Sequence, residues 1–151
     1  MRLVIQRVKQ ASVTVDGKRV SEIGPGLLVL AGVSHGDTPF DARHLAGKTA
    51  RLRIFEDEDG KMNRSVQEIG GGVLAVSQFT LYGDCSKGNR PSYITAARPA
   101  QGEERFNEYV QALDRLGFRP KTGIFGADMK VELLNDGPVT LILESTGRTK
   151  E

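Results

Sequence analysis

The stretch LLVLAGV, Leu27 to Val33, is apolar throughout, and no other part of the chain limits the fold as strongly. It is bounded by the turn residues GPG before it and SHGD after it. A short apolar run so bounded reads as a strand buried on both faces. Such a strand lies inside a sheet with cover above and below it. Two segments can supply helical cover. Thr38 fits an N-cap and Pro39 a first helical residue, after which Ala42, Leu45, Ala46, Thr49 and Leu52 recur at helical spacing. Phe106, Tyr109, Val110, Leu113 and Leu116 make one face of a second helix, with Gly117 at its C′ position.

The remaining elements read as strands. Leu3–Val8 and Ala11–Val15 are short and rich in β-branched residues, and the turn Asp16–Lys18 leads into RVSEI. Arg51–Phe55 passes from the first helix into a strand before the turn DEDGK. VLAVSQFTLYG follows Gly70–Gly72, starts as a buried strand and becomes polar at Ser77, Gln78 and Thr80. Lys130–Leu134 and Val139–Leu143 are the last strands, and NDGPVT between them is expected to be a hairpin turn. Its spelling is unusual for one. Asp-Gly favours a type I′ turn, but Pro138 has no N–H with which to open the next strand and restricts the residue before it. Many strands and two helices, without regular βαβ alternation, predict a single α+β domain over residues 1–151 with a mostly antiparallel or mixed, barrel-like sheet.

At 151 residues, 38% hydrophobic and 26% charged, the chain suits one domain with its own core. A net charge of +2 is too mild for the basic stripe of a typical nucleic-acid-binding module. Lys87, Arg90 and Arg98, in and after GDCSKGNRPS, are the place where phosphates would be held, against the alternative of a solvated loop. No apolar run approaches the roughly 20 residues that cross a bilayer. MRLVIQRV alternates charged and apolar residues, unlike a signal-peptide core, and the single cysteine, Cys85, allows no internal disulfide. A cytoplasmic protein with no membrane partner is expected.

The familiar catalytic kits are missing. His35 and His44 cannot make a three-histidine metal site and neither lies in HExxH. His35 reads as a turn residue, with a general base as the alternative, and Cys85 as a free thiol rather than a nucleophile. GxSxG, the P-loop and a strand-linked GxGxxG are absent. FEDEDG lacks the spaced oxygen ligands of a calcium loop and reads as a solvated turn. No metal or cofactor is implied. What remains is SQFT, Ser77–Thr80, and NDGPVT. Thr80 has a hydroxyl without a paired base, whereas backbone amides around Phe79 and Thr80 suit an oxyanion site. The alternative is that Ser77 and Thr80 simply satisfy a strand end.

MRLVIQRV with ASVTVDG, GKMN at Gly60–Asn63, SQFTLYGD at Ser77–Asp84, RPS at Arg90–Ser92 and TGIFGADMKVELLNDGPVT at Thr122–Thr140 occur in that order. In these motifs, over nearly its whole length, the chain resembles the D-aminoacyl-tRNA deacylase family. The resemblance implies hydrolysis of the ester between a D-amino acid and the tRNA 3′ end, by a homodimer with active sites at the subunit interface. It implies a cis Gly137–Pro138 bond, inserted from one subunit into the other's pocket, that rejects L side chains while admitting glycine, so that Gly-tRNA is a second substrate. It assigns Gln78, Phe79 and Thr80 to ester positioning beside the RNA's own 2′-OH, and Ser77 to substrate binding. Phe125 and Met129 would wall the adenosine end, and Lys87 and Arg90 would contact phosphates. Two other readings stand beside it: a non-catalytic protein that binds the tRNA acceptor end, and a Ser, Thr or Cys hydrolase of small esters.

Overall fold

A computed structural model describes residues 1–151. The N-terminal strand β1 (Arg2–Val15) is one element where two were expected. It stays continuous because its partner on one edge changes midway. Arg2–Val8 pairs antiparallel with β3 (Gly26–Gly32), and Ala11–Val15 pairs with β2 (Lys18–Ile23). The β1–β2 hairpin turns at Asp16 and Gly17, with φ of 50° and 76°, the two positive values that a type I′ turn requires. After the excursion through α1 (Pro39–Arg51) and the small hairpin β4 (Phe55–Glu56) and β5 (Met62–Arg64), β6 (Gly72–Ser77) lies parallel to β3. Beyond α2 (Pro99–Arg115), β7 (Lys121–Thr122) lies parallel to β6. The order β2-β1-β3-β6-β7 curls until β2 lies back against β6 and β7. The sheet is therefore mixed and nearly closed, as an α+β barrel-like fold predicts.

Alternation along β3 explains its unbroken apolar spelling. Leu27, Val29 and Ala31 face the main core with Leu45, Tyr109 and Leu113 of the helices, while Leu28 faces a second core with Val8, Val13, Leu74 and Val76. The first helix starts as expected. Thr38 caps it, its side chain accepting from the Asp41 amide while the Asp41 carboxylate accepts from the Thr38 amide. Leu116 departs from the predicted stripe: the second helix ends at Arg115, Leu116 is its exposed C-cap, and Ala112 is buried with Phe106, Tyr109 and Leu113.

The main correction concerns NDGPVT, which is no hairpin. Both flanking segments pair with the same strand, β1, so they form one element, β8 (Lys130–Glu144). Gln6 is opposite Thr140 and Val8 is opposite Asn135, so a step of two residues on β1 (8 − 6) faces a step of five on β8 (140 − 135). The extra residues leave the ladder as a bulge. Pro138 has no N–H to contribute there, and Gly137 has φ 122°, a left-handed value that favours glycine. The Gly137–Pro138 peptide is cis. Asn135 ties the base of the bulge together, donating from Nδ2 to Thr140 Oγ1 at 2.9 Å and accepting at Oδ1 from the Val139 amide at 3.3 Å.

Candidate functional site

Because β3 and β6 are parallel neighbours, their carboxyl ends open side by side, the usual position of a crevice in α/β sheets. A pocket of about 610 Å³ lies there, floored by Ala31, Val33, Val76 and Ser77. Phe106 of α2, the segment Phe125–Met129, and Gln78, Phe79 and Tyr93 are also in its lining. The volume and the mainly apolar lining are those of a small-molecule site. Arg98 and Asp128 bring charge to the lining, and Lys130 Nζ lies 3.3 Å from the Asp128 carboxylate.

The change from strand to site happens at Gln78. Its amide makes a last bond to Ala31 O at 2.8 Å, after which Phe79–Tyr82 forms a single 3₁₀ turn. Leu81 N bonds Gln78 O at 3.3 Å and Gly83 N bonds Thr80 O at 2.9 Å. The amides of Phe79 and Thr80 open the turn, so they have no acceptor within it, and neither donates in a loop or cap bond. Gln78 Nε2 donates to Thr80 Oγ1. The back of the turn is clamped: Arg2 Nη1 donates to Leu81 O at 2.7 Å and its guanidinium lies 4.8 Å from the centre of the Tyr82 ring. Burial, then the negative charge of Asp37, pushes the Tyr82 phenol up to about 12, so it stays neutral.

Ser77, Gln78, Phe79, Phe125 and Met129 all line this pocket. Thr80 is the next residue along the turn, exposed and outside the lining. Lys87 and Arg90 are exposed on the following loop, also outside it. Gly137 and Pro138 are exposed on β8 and do not reach the pocket of their own chain. Beneath them lies Arg7, donating from Nη1 to Ile54 O at 2.7 Å and from Nε to Asp136 O at 3.2 Å. Arg7 and Lys9 each lie 3.6 Å from the Asp136 carboxylate.

Arg7, Tyr93 and the Ala96–Ala97 wall were not singled out from the sequence. Arg7 carried a signal: it falls at alternate spacing with Leu3 and Ile5, which places a charge on the buried face of β1. His35 is an exposed turn residue whose backbone bonds Thr95 and Gln101. Cys85 is exposed. Asp57 of FEDEDG spends its carboxylate on its own turn, accepting from the amides of Asp59 and Lys61 and from Asn63 Nδ2.

Comparisons with known proteins agree over almost the full length. A family model described as D-Tyr-tRNA(Tyr) deacylase matches residues 4–144. The D-aminoacyl-tRNA deacylase of Halalkalibacterium halodurans is 56% identical over 145 residues, covering 96% of this chain and 99% of the relative. That of Deinococcus radiodurans is 58% identical over 144 residues, covering 95% and 99%. A solved structure of a c-Myc DNA unwinding element binding protein superimposes with a TM-score of 0.90 at 45% identity, covering 96% of this chain and 99% of that one.

Proposed function

The chain belongs to the D-Tyr-tRNA(Tyr) deacylase family and is a hydrolase of ester bonds acting on D-aminoacyl-tRNA, and from that premise we propose that it is a cytoplasmic homodimeric proofreader that rejects L-aminoacyl esters by shape. The observation that carries the reading is the pocket at the ends of β3 and β6, beside which the Phe79 and Thr80 amides are left unengaged at the opening of the 3₁₀ turn and no side-chain nucleophile is paired with a base. In this reading the terminal adenosine enters between Phe125 and Met129 and stands beside Ser77. The ester carbonyl oxygen lies at the Phe79 and Thr80 amides, which stabilise the negative charge that develops on it. Gln78 and Thr80 position the ester, and the terminal ribose 2′-OH replaces a protein nucleophile. Lys87 and Arg90 hold phosphates.

The chiral filter is Gly137–Pro138 of the partner subunit. In support, that bulge is exposed and lies outside its own chain's pocket. The outer edge of β8 has no strand partner and exposes Leu134 and Ile142, a surface suited to self-association. A filter that works by excluding an L side chain admits glycine, so Gly-tRNA is a second substrate. No helix is long and apolar enough to cross a membrane.

The test is amino-acid release from matched D-, L- and glycyl-tRNA esters. Release of D and glycyl esters with L retained is expected. Equal release of D and L would keep the hydrolase and remove the filter. Tight tRNA binding with no release would favour a non-catalytic acceptor-end binding protein.

A further inference from the structure

Three large apolar side chains at or next to the pocket are exposed: Phe79 by 58%, Tyr93 by 38% and Ile94 by 84%. Phe79 and Tyr93 line the pocket, and Ile94, the residue after Tyr93, is exposed outside its lining. The arrangement is built rather than loose. The two rings meet edge to face, 5.1 Å between centroids and 67° between planes. Tyr93 rests on Gly83, where a Cβ would come within 3.0 Å of its Cε1. The loop carrying Tyr93 is pinned by the paired bonds of Asp84 and Ser92 at 2.8 and 2.9 Å, by His35 N to Thr95 O at 3.2 Å and by Ala97 N to Val33 O at 2.9 Å. The same loop holds Lys87 and Arg90, both exposed and neither in an ion pair.

Rigid aromatic faces beside unpaired cations are the means by which proteins hold single-stranded nucleic acid: bases stack on the rings and phosphates meet the charges, with little dependence on base identity. We propose that Tyr93 forms a stacking platform, with Ile94 adding apolar contact next to it, for the unpaired nucleotides that precede the terminal adenosine, their phosphates running toward Lys87 and Arg90. The proposal rests on the D-aminoacyl-tRNA reading of the pocket. It adds a subsite that extends recognition beyond the adenosine.

Tyr93 also lines the pocket, so the platform is read from what a tRNA ester loses beyond any loss by a mononucleoside ester. The experiment therefore compares kcat/KM for D-tyrosyl-tRNA with that for D-tyrosyl-adenosine in the wild type, Tyr93→Ala, Tyr93→Phe and Ile94→Ala. Binding of a labelled CCA trinucleotide and of adenosine is measured alongside. The tRNA-to-adenosine ratio of kcat/KM is expected to fall on the order of tenfold in Tyr93→Ala, the effect of losing one stacked base, and to hold in Tyr93→Phe. Ile94→Ala is expected to lower it less. An unchanged ratio in both alanine variants overturns the platform while leaving the deacylase intact. So does a loss of self-association by sedimentation that accounts for the change, because the patch is then an interface between copies. If the wild type cleaves neither ester yet binds CCA more tightly than adenosine, and Tyr93→Ala removes that advantage, the deacylase reading fails and the platform stands.

Discussion

The bulge Asp136–Pro138 sits over Arg7, and Gly137→Ala tests how closely the two fit. Gly137 has φ 122°, and an alanine held there is strained by roughly 1–3 kcal/mol. Its Cβ would also lie 2.9 Å from Val139 Cγ2 and 3.0 Å from Arg7 Nη2. Arg7 has little freedom to yield, being buried and bonded to Ile54 O at 2.7 Å and Asp136 O at 3.2 Å. Giving up one such charge-assisted bond costs about 1.5–3 kcal/mol. The chain relaxes by whichever route is cheaper, so the two costs overlap and a loss of about 2–4 kcal/mol is expected. At about 2–4 °C per kcal/mol for a chain of this size, Tm falls by roughly 5–15 °C. Urea unfolding at fixed protein concentration measures it, since self-association shifts apparent stability. Arg7→Lys removes Nη2, so Gly137→Ala in that background should cost about 1–2 kcal/mol less, a direct measure of coupling. A loss under about 0.5 kcal/mol in both backgrounds would refute the fit, because the bulge would then be relaxing freely.

Three other perturbations follow from named contacts. Tyr109 is fully buried and its hydroxyl meets only Thr49 Oγ1, at 2.9 Å, while Thr49 donates to Leu45 O at 2.8 Å. Thr49→Val strands the phenol and should cost about 1–3 kcal/mol in urea unfolding, whereas Tyr109→Phe leaves Thr49 satisfied and should cost under about 1 kcal/mol; the reverse order would refute this. Burial raises the Asp41 carboxyl, but bonds from Ser145 and from the amides of Thr38, Arg148 and Gly147 outweigh it and hold the group below its ordinary value. A depressed folded value means that the stabilisation is present above the unfolded value of about 3.9 and is lost as pH falls through the folded one. The stability gap between wild type and Asp41→Asn, about 1–3 kcal/mol at neutral pH, should therefore shrink below about pH 4, and a gap constant down to pH 2 would count against it. Thr80→Ala should retain D-ester cleavage within about tenfold, since the Thr80 hydroxyl is engaged by Gln78 and faces no base; loss of several orders of magnitude would point to a protein nucleophile.

Asp-Gly occurs three times in the chain, and comparing the three shows which parts of the fold were legible. At Asp16–Gly17 and Asp59–Gly60 lysine follows, and the dipeptide sits in the turn of a hairpin. At Asp136–Gly137 proline follows, and its missing N–H marks the site as abnormal from sequence alone. Whether the chain then turns back or bulges is a non-local matter. It is decided by β1, which at 14 residues is long enough to pair with both halves of β8. The split of β1 failed for the same reason, since nothing local reports that β2 and β3 share one of its edges. Helix signals are local and did better: the Thr38 cap, Pro39 and the buried stripe through Leu45 are found where the sequence places them.

The same distinction runs through the site. A buried strand that turns polar is a signal along one dimension, and it led to Ser77–Thr80, of which Ser77, Gln78 and Phe79 line the pocket, whereas Phe125 and Met129 join them only because the chain returns beside β6 after α2. Gly137–Pro138 is placed by pairing as well. The bulge stands opposite Arg7 and Val8, which pair with Leu27 and Gly26 at the start of β3, while the pocket begins at Ala31, toward the other end of that strand. Four residues along a strand are about 13 Å, and β8 and β3 lie on opposite edges of β1, about 10 Å apart. Pro138 is thus on the order of 16 Å from the floor of its own chain's pocket, several times the reach of a contact that could sense a substrate side chain. The proposal that both motifs act on one ester therefore takes them from two copies. The exposed bulge and the open edge of β8 suit that arrangement, and it would make chiral selection a property of the proposed dimer while the pocket itself belongs to each chain.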